Sequence, residues 1–189
     1  MRQSTRSTII AVADQLFYEA GFYHTSFADI ASQVGISRGN FYHHFKSKEE
    51  LLQAVIEQRL AATRQLLSAW AAGSESPAAR ICAYIQIVIS NRTQIKLHGC
   101  PVGTLCAELA KLEHPSLPLA NRVFGLFADW LTEQFSALGQ GQQARPRALK
   151  VLAWSQGVAT LYNALQDDEF VEREVEEMCN WVQGLAAAS

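Results

Sequence analysis

The sequence is poor in cysteine, proline and methionine, with four, five and two of them in 189 residues. Cys82, Cys100, Cys106 and Cys179 are too few and too scattered to form a disulfide framework, which points to a reducing, cytoplasmic setting. Long hydrophobic runs are also missing. The longest, ICAYIQIVI, is too short to span a bilayer and reads as part of an ordinary helix, so no membrane partner is expected. MRQSTRSTII has basic residues with no apolar run behind them, so no signal peptide is expected either. Alternating strand patterns and internal repeats are absent, which argues against sheets and solenoids. Charge of one sign is absent too. The formal net charge is -2, and the first sixty residues hold six Lys/Arg against six Asp/Glu. Any contact with nucleic acid must therefore be built locally rather than advertised by bulk charge. No nucleophile–base–orienter set, glycine-rich phosphate loop or compact metal-ligand spacing appears, so no enzyme, metal or cofactor is expected.

What the chain does have is apolar residues, 49% of the total, recurring at spacings of three and four. Breakers fall at Gly21, Gly35, 71–77, 113–118 and 139–146, and Pro77, Pro101 and Pro146 sit where helices begin. The spacing predicts an all-α chain of about nine helices. Three short ones lie within residues 1–45, and a long fourth runs over about 48–70. The domain boundary is placed between residues 1–47 and 48–189.

In the first helix, from about Ser4 to Ala20, the apolar positions include Ile9, Ile10, Ala13 and Phe17, and Gly21 supplies the stop. A second helix starts at Ser26, where Asp29 can complete a capping box. After the turn at Gly35 a third starts at Ser37, a good N-cap. This is a helix-turn-helix arrangement on a supporting first helix. Residues placed at about 100° each put Phe41 and Phe45 on the buried side of helix three. Gly39, Tyr42 and His43 fall opposite, Asn40 and His44 on the flanks, and Arg38 at the entry. Glycine allows close backbone approach, Arg and Asn can pair bidentately with guanine and adenine edges, and Tyr and His can donate to phosphate. Ser47 and Glu50 form a further capping box, which puts Lys48 at a helix N-terminus suited to phosphate.

The pattern Thr25-Ser-x-x-x-Ile30-Ala31-x-x-x-Gly35-Ile36-Ser37-x-Gly39-x-Phe41-Tyr42-x-His44-Phe45-x-Ser47-Lys48-Glu49-x-Leu51 resembles the DNA-binding domain of the TetR/AcrR family of bacterial transcription regulators, over about residues 8–54. The resemblance implies a homodimeric, all-α repressor, with the N-terminal domain on double-stranded operator DNA and a C-terminal domain that binds a small-molecule effector. Carried over position by position, Thr25 and Ser26 stand as phosphate contacts. Arg38, Gly39, Asn40 and His43 stand as the base-facing set, and Tyr42, His44 and Lys48 as backbone contacts. Ser37 and Lys46 complete the candidate interface, with Arg2 and Arg6 as a basic arm. Two recognition helices about 34–36 Å apart imply a palindromic operator.

In the C-terminal half, HGCPVGTLCAEL resembles a Gly-Cys-x7-Glu-Leu segment of a subset of these regulators, in some of which a thiol responds to electrophiles or oxidants. Cys100 precedes a helix starting at Pro101, where the dipole favours thiolate, and Cys106 lies nearly opposite on that helix. Trp70, Tyr84, Phe127, Trp130, Trp154, Tyr162 and Asn163 offer aromatic walls and polar anchors for a moderately apolar ligand. The last two helices, about 145–166 and 168–186, are the dimerisation candidates, through Ala153, Gly157, Ala164, Val171, Val175, Met178 and Trp181. Three other readings stay open: a switch by thiol modification, a constitutive architectural binder, and a helical enzyme with an appended DNA-binding domain.

Overall fold

A computed structural model describes residues 4–74 and 76–188. Arg2, half of the expected basic arm, lies outside the described residues. The helices are α1 (Thr5–Ala20), α2 (Phe27–Val34), α3 (Arg38–His44), α4 (Lys48–Gly73), α5 (Pro77–Ile85), α6 (Ile87–Ser90), α7 (Arg92–His98), α8 (Pro101–Lys111), α9 (Leu117–Ala137), α10 (Ala144–Leu165) and α11 (Asp168–Ala187). Among the described residues there is no strand, and no helix is long and apolar enough to cross a membrane. Read as one bent helix, α5 to α7 bring the count of α-helices among the described residues to nine. The bends fall at Gln86 and Asn91. Near them Ser90 Oγ and Asn91 Nδ2 donate to the carbonyls of Gln86 and Ile87, at 3.1 and 3.0 Å, in competition with the backbone ladder.

The local signals act as expected in the first three helices. Ser4 caps α1, Ser26 and Asp29 form a reciprocal capping box on α2, and Ser37 caps α3. The two bonds from Ser26 hold the Asp29 carboxyl below the ordinary aspartate range. Gly35 ends α2 in the left-handed conformation, at φ 76°, where a Cβ would be strained. At the start of α4 the box is shifted by one residue: Ser47 Oγ accepts from Glu50 N, but Glu50 Oε2 accepts from Lys46 N rather than Ser47 N.

Two compact units emerge, one formed by Met1–Ala62 with Thr104–Val123, the other by Thr63–Gly103 with Phe124–Ser189. The first is larger than residues 1–47: it takes in much of α4, most of α8 and the beginning of α9. Its core joins Ile9, Ala13 and Phe17 of α1, Ile30 of α2, Phe41 of α3, Phe45, and Leu51, Leu52, Val55 and Ile56 of α4, all nearly inaccessible to solvent. Asp14 and Arg59, 2.6 Å apart and mostly buried, tie α1 to α4. In the second unit α11 packs on α5 and α6, and α10 packs on α7 and α11.

Candidate nucleic-acid interface and effector half

Helix α3 is anchored by one residue inside it and one directly after it. Phe41 and Phe45 are 1% and 0% exposed, and the Phe41 ring lies 4.5 Å from that of Phe27. With that side fixed, Arg38, Gly39, Asn40, Tyr42 and His43 are exposed and His44 is half-buried. The Tyr42 ring rests edge-on against Phe27, at 5.5 Å, which holds an exposed aromatic in place. Ser37 Oγ accepts from Asn40 N at 3.2 Å, so this hydroxyl shapes the helix start. Lys46 Nζ donates to the Tyr42 carbonyl, placing a cation at the helix C-terminus, where the dipole favours it. Arg6 stacks over the Phe45 ring at 4.8 Å.

Two expected phosphate contacts are otherwise engaged. Thr25 is 3% exposed and its hydroxyl donates to the carbonyls of Gly21 and Leu16, at 2.8 and 3.3 Å. A buried hydroxyl is held by such bonds, so its side chain closes the α1–α2 turn rather than facing outward. Ser26, by contrast, is exposed. Lys48 is half-buried. Its Nζ donates to the Tyr23 carbonyl at 3.0 Å and lies 4.5 Å from the centre of the Phe22 ring. Burial holds this ammonium below the usual lysine range, and the Glu108 carboxylate pulls in the opposite direction.

The partner to that lysine is a residue to which the sequence reading assigned no role. Glu108 on α8 accepts from the backbone N–H groups of Phe22 and Tyr23, at 2.9 and 2.8 Å. Those amides follow the end of α1, beyond its helical hydrogen bonding, and need an acceptor from elsewhere. His114 adds an edge-on contact to Phe22, with ring centres 5.2 Å apart. Glu108, Lys48 and His114 thus clasp the Phe22–Tyr23 turn from three sides. Gly21 makes room for the clasp: a Cβ there would meet Glu108 Oε1 at 3.0 Å, and φ is 89°. Unmet amides after Gly21 were a visible clue; which distant carboxylate meets them was not.

The expected effector set divides. Trp70, Tyr84, Phe127 and Trp130 form one aromatic cluster, with centroids 5.3 to 6.3 Å apart. The Tyr84 hydroxyl is bonded to Ser155 Oγ at 2.8 Å, and burial raises its pKa strongly, with Cys100 near enough to contribute. Cys100 Sγ accepts from Gly103 N at 3.4 Å, at the first turn of α8. Trp154, Tyr162 and Asn163 have polar atoms bonded within the protein. Trp154 Nε1 donates to Glu174, Tyr162 OH to Asp168, and Asn163 Nδ2 to the carbonyls of Ile95 and Lys96. The Tyr162 phenol, buried and bonded to a carboxylate, is pushed up to about 12. Cys106 is buried, and belongs to the first unit rather than with the aromatic cluster of the second.

The dimerisation set divides as well. Val171 and Val175 are 2% and 5% exposed, consumed where α11 packs on α5 and α6. Met178 and Trp181 are half-buried, the latter against Phe135 and under Lys150. Ala153, Gly157 and Ala164 are exposed on α10. With them are Leu149, Leu161 and Leu165, 45%, 48% and 64% exposed, which the sequence reading passed over. Positions 149, 153, 157, 161 and 165 recur every four residues and make one exposed, largely apolar ridge.

Comparison with known proteins agrees with this geometry. The family model described as "Bacterial regulatory proteins, tetR family" matches residues 9–55. An uncharacterized HTH-type transcriptional regulator in the lacX 3' region of Lactococcus lactis subsp. lactis is 30% identical over 174 residues, covering 90% of this chain and 89% of that protein. The HTH-type transcriptional repressor NemR of Escherichia coli (strain K12) is 31% identical over 110 residues, 57% of this chain and 55% of NemR. Among solved structures, a TetR transcriptional regulator from Legionella pneumophila shares the fold with a TM-score of 0.83 at 23% identity, over 94% of this chain and 96% of that one. The chain belongs to the TetR/AcrR family and is a DNA-binding transcriptional regulator of the helix-turn-helix type.

Proposed function

We propose that this regulator is a cytoplasmic, ligand-responsive repressor that binds a palindromic operator as a homodimer, with residues 1–47 on DNA and residues 48–189 for effector and dimer contacts. The observation that carries the reading is the division of α3: Phe41 and Phe45 are fixed in the core, while Arg38, Gly39, Asn40, Tyr42 and His43 are left outside. Arg38 and Asn40 read bases; Ser26, Tyr42 and His44 position the backbone. With little bulk charge, non-specific affinity stays modest and discrimination comes from two half-sites read together. The α10 ridge supports the dimer, since Gly157 and Ala153 let a second helix approach and the leucines supply apolar area. Footprinting on its own upstream DNA, with sedimentation at micromolar concentration, tests the proposal. A symmetric footprint from a dimer is the expected result; a monomer that protects a single half-site overturns it.

The effector is a moderately apolar compound received by the cluster of Trp70, Tyr84, Phe127 and Trp130. A 100-fold loss of operator affinity requires about 2.8 kcal/mol of coupling, within reach of one ligand. Helix α8 suits the coupling role, because its first turn meets the Cys100 thiol and Glu108 further along grips the Phe22–Tyr23 turn. The same helix supports a second reading, in which modification of Cys100 is the signal. A thiol that accepts a bond in the first turn of α8 would disturb that turn if it were alkylated, and NemR, a relative, has a solved structure of its reduced form. Operator release by apolar ligands in a Cys100→Ser variant separates the two. If that variant keeps its ligand response, the pocket is the sensor; if only electrophiles release the wild-type chain, the thiol is.

A further inference from the structure

Two cysteines have no part in either reading, and the fold brings them together across 97 positions of sequence. Cys82 is on α5 and Cys179 on α11, the helices that pack against each other in the second unit. Cys82 Sγ lies 3.9 Å from the Cys179 carbonyl oxygen, where α5 packs on α11, so the two cysteines are neighbours across that helix pair. Both are partly accessible and neither is in a disulfide. A pair of buried small hydrophobes would need none of this: four scattered cysteines in a reducing setting have no reason to converge, and partial exposure leaves them open to small oxidants.

We infer that Cys82 and Cys179 are a reversible oxidation site, which closes to an intrachain disulfide stapling α5 to α11 when the protein meets a hydroperoxide. The two thiols have been made unequal by their surroundings. The neighbouring Cys179 side chain holds the Cys82 thiol below its ordinary range, while the Cys82 side chain and burial push Cys179 up. Cys82 is therefore the attacking group. Its thiolate attacks the outer peroxide oxygen, the O–O bond breaks, and the departing alkoxide takes a proton to leave as alcohol. Cys82 is now a sulfenic acid. The Cys179 sulfur then attacks the Cys82 sulfur, the S–O bond breaks, and hydroxide leaves as water with the Cys179 proton. Two thiols and one hydroperoxide become one disulfide, one alcohol and one water; with hydrogen peroxide the products are the disulfide and two waters. A thiol reductant returns the dithiol, as fits a transient bond in a reducing compartment. Tyr84, two residues beyond Cys82 on α5, belongs to the aromatic cluster, so the staple fixes a helix that lines the proposed effector site.

The test uses the full-length reduced protein, treated with about one equivalent of hydrogen peroxide, alkylated and mapped as peptides without reduction. The expected product joins the Cys82 and Cys179 peptides within one chain, consumes two of the four alkylatable thiols, and is reversed by dithiothreitol. A Cys100→Ser, Cys106→Ser double variant should form it unchanged. Cys179→Ser should give no cross-link and instead a Cys82 sulfenic acid trapped by dimedone. The oxidised wild-type protein should melt higher by roughly 5–10 °C, since the bond closes a long loop. Cross-links through Cys100 or Cys106, links between chains, sulfinic acid at Cys82 with no bond to Cys179, or a lower melting point after oxidation would each overturn the inference. None of these readouts depends on DNA binding, so failure here and failure of the repressor reading are separate results.

Discussion

The first and second units use the same material, apolar-periodic helices, to opposite ends. In the first, Phe41 and Phe45 fix one side of α3 so that the other can be spent on exposed Arg38, Asn40, Tyr42 and His43. In the second, aromatic residues face each other, as Trp70, Tyr84, Phe127 and Trp130 do, and polar atoms are turned inward, as with Tyr84 and Ser155. A recognition surface needs a rigid back and a free front, whereas a receptor for a small molecule needs a concave, largely apolar lining. The contrast explains why helix ends are so consistently capped in the first unit: a helix as short as α3 holds its face outward only when Ser37 and the buried phenylalanines fix it.

The comparison breaks most severely if the rigid back is removed. Phe45→Ala should cost about 3–5 kcal/mol and abolish operator binding, while the near-UV signal of the Trp70–Trp130 pair survives. Loss of both signals together in a denaturant titration would mean that the two units do not differ in stability. Arg38→Ala leaves the back intact and removes one element of the front. It should lower the ratio of operator to random-DNA affinity by about 1–3 kcal/mol with little change in melting temperature. Equal losses on both DNAs would remove Arg38 from the base-reading set.

Glu108→Gln probes the clasp. Replacing the carboxylate with a near-isosteric amide weakens two charge-assisted bonds and should destabilise the first unit by about 1–2 kcal/mol. It should also shrink the difference in operator affinity with and without effector. An unchanged effector response would confine Glu108 to a structural role. Lys48→Met should cost about 1 kcal/mol or less, because a thioether can take the place of the ammonium over the Phe22 ring. The salt dependence of operator binding should be unchanged, whereas a slope reduced by about one would return Lys48 to the phosphate contacts. The smallest effect belongs to Asp29. Its pKa is depressed by the Ser26 bonds in the folded chain, so its contribution is present above about pH 4 and is lost as pH falls through the depressed value. Asp29→Asn should flatten that acid limb slightly, its small loss of stability showing at neutral pH and vanishing in acid, as a pH series of melting temperatures would show.

The all-α class, the starts of the first four helices, the outward face of α3 and the family resemblance follow from the sequence alone. Each rests on near neighbours: Ser26 with Asp29, Ser37 with the amide of Asn40, Phe41 one turn from Phe45. Such signals act over three or four residues, so composition and spacing are enough to read them. What only the tertiary structure decided involves partners far apart in the chain. It bonded the side chains of Thr25 and Lys48 to carbonyls of the α1–α2 turn, and gave Glu108 two amides more than eighty positions away. It bonded Trp154, Tyr162 and Asn163 to Glu174, Asp168 and the Ile95 carbonyl, buried Val171 and Val175, and left Leu149, Leu161 and Leu165 outside. The physical reason is the same in each case. A helix's own period says which residues share a face, but a buried polar atom takes whichever partner the packing of distant helices delivers, and no local rule names that partner in advance.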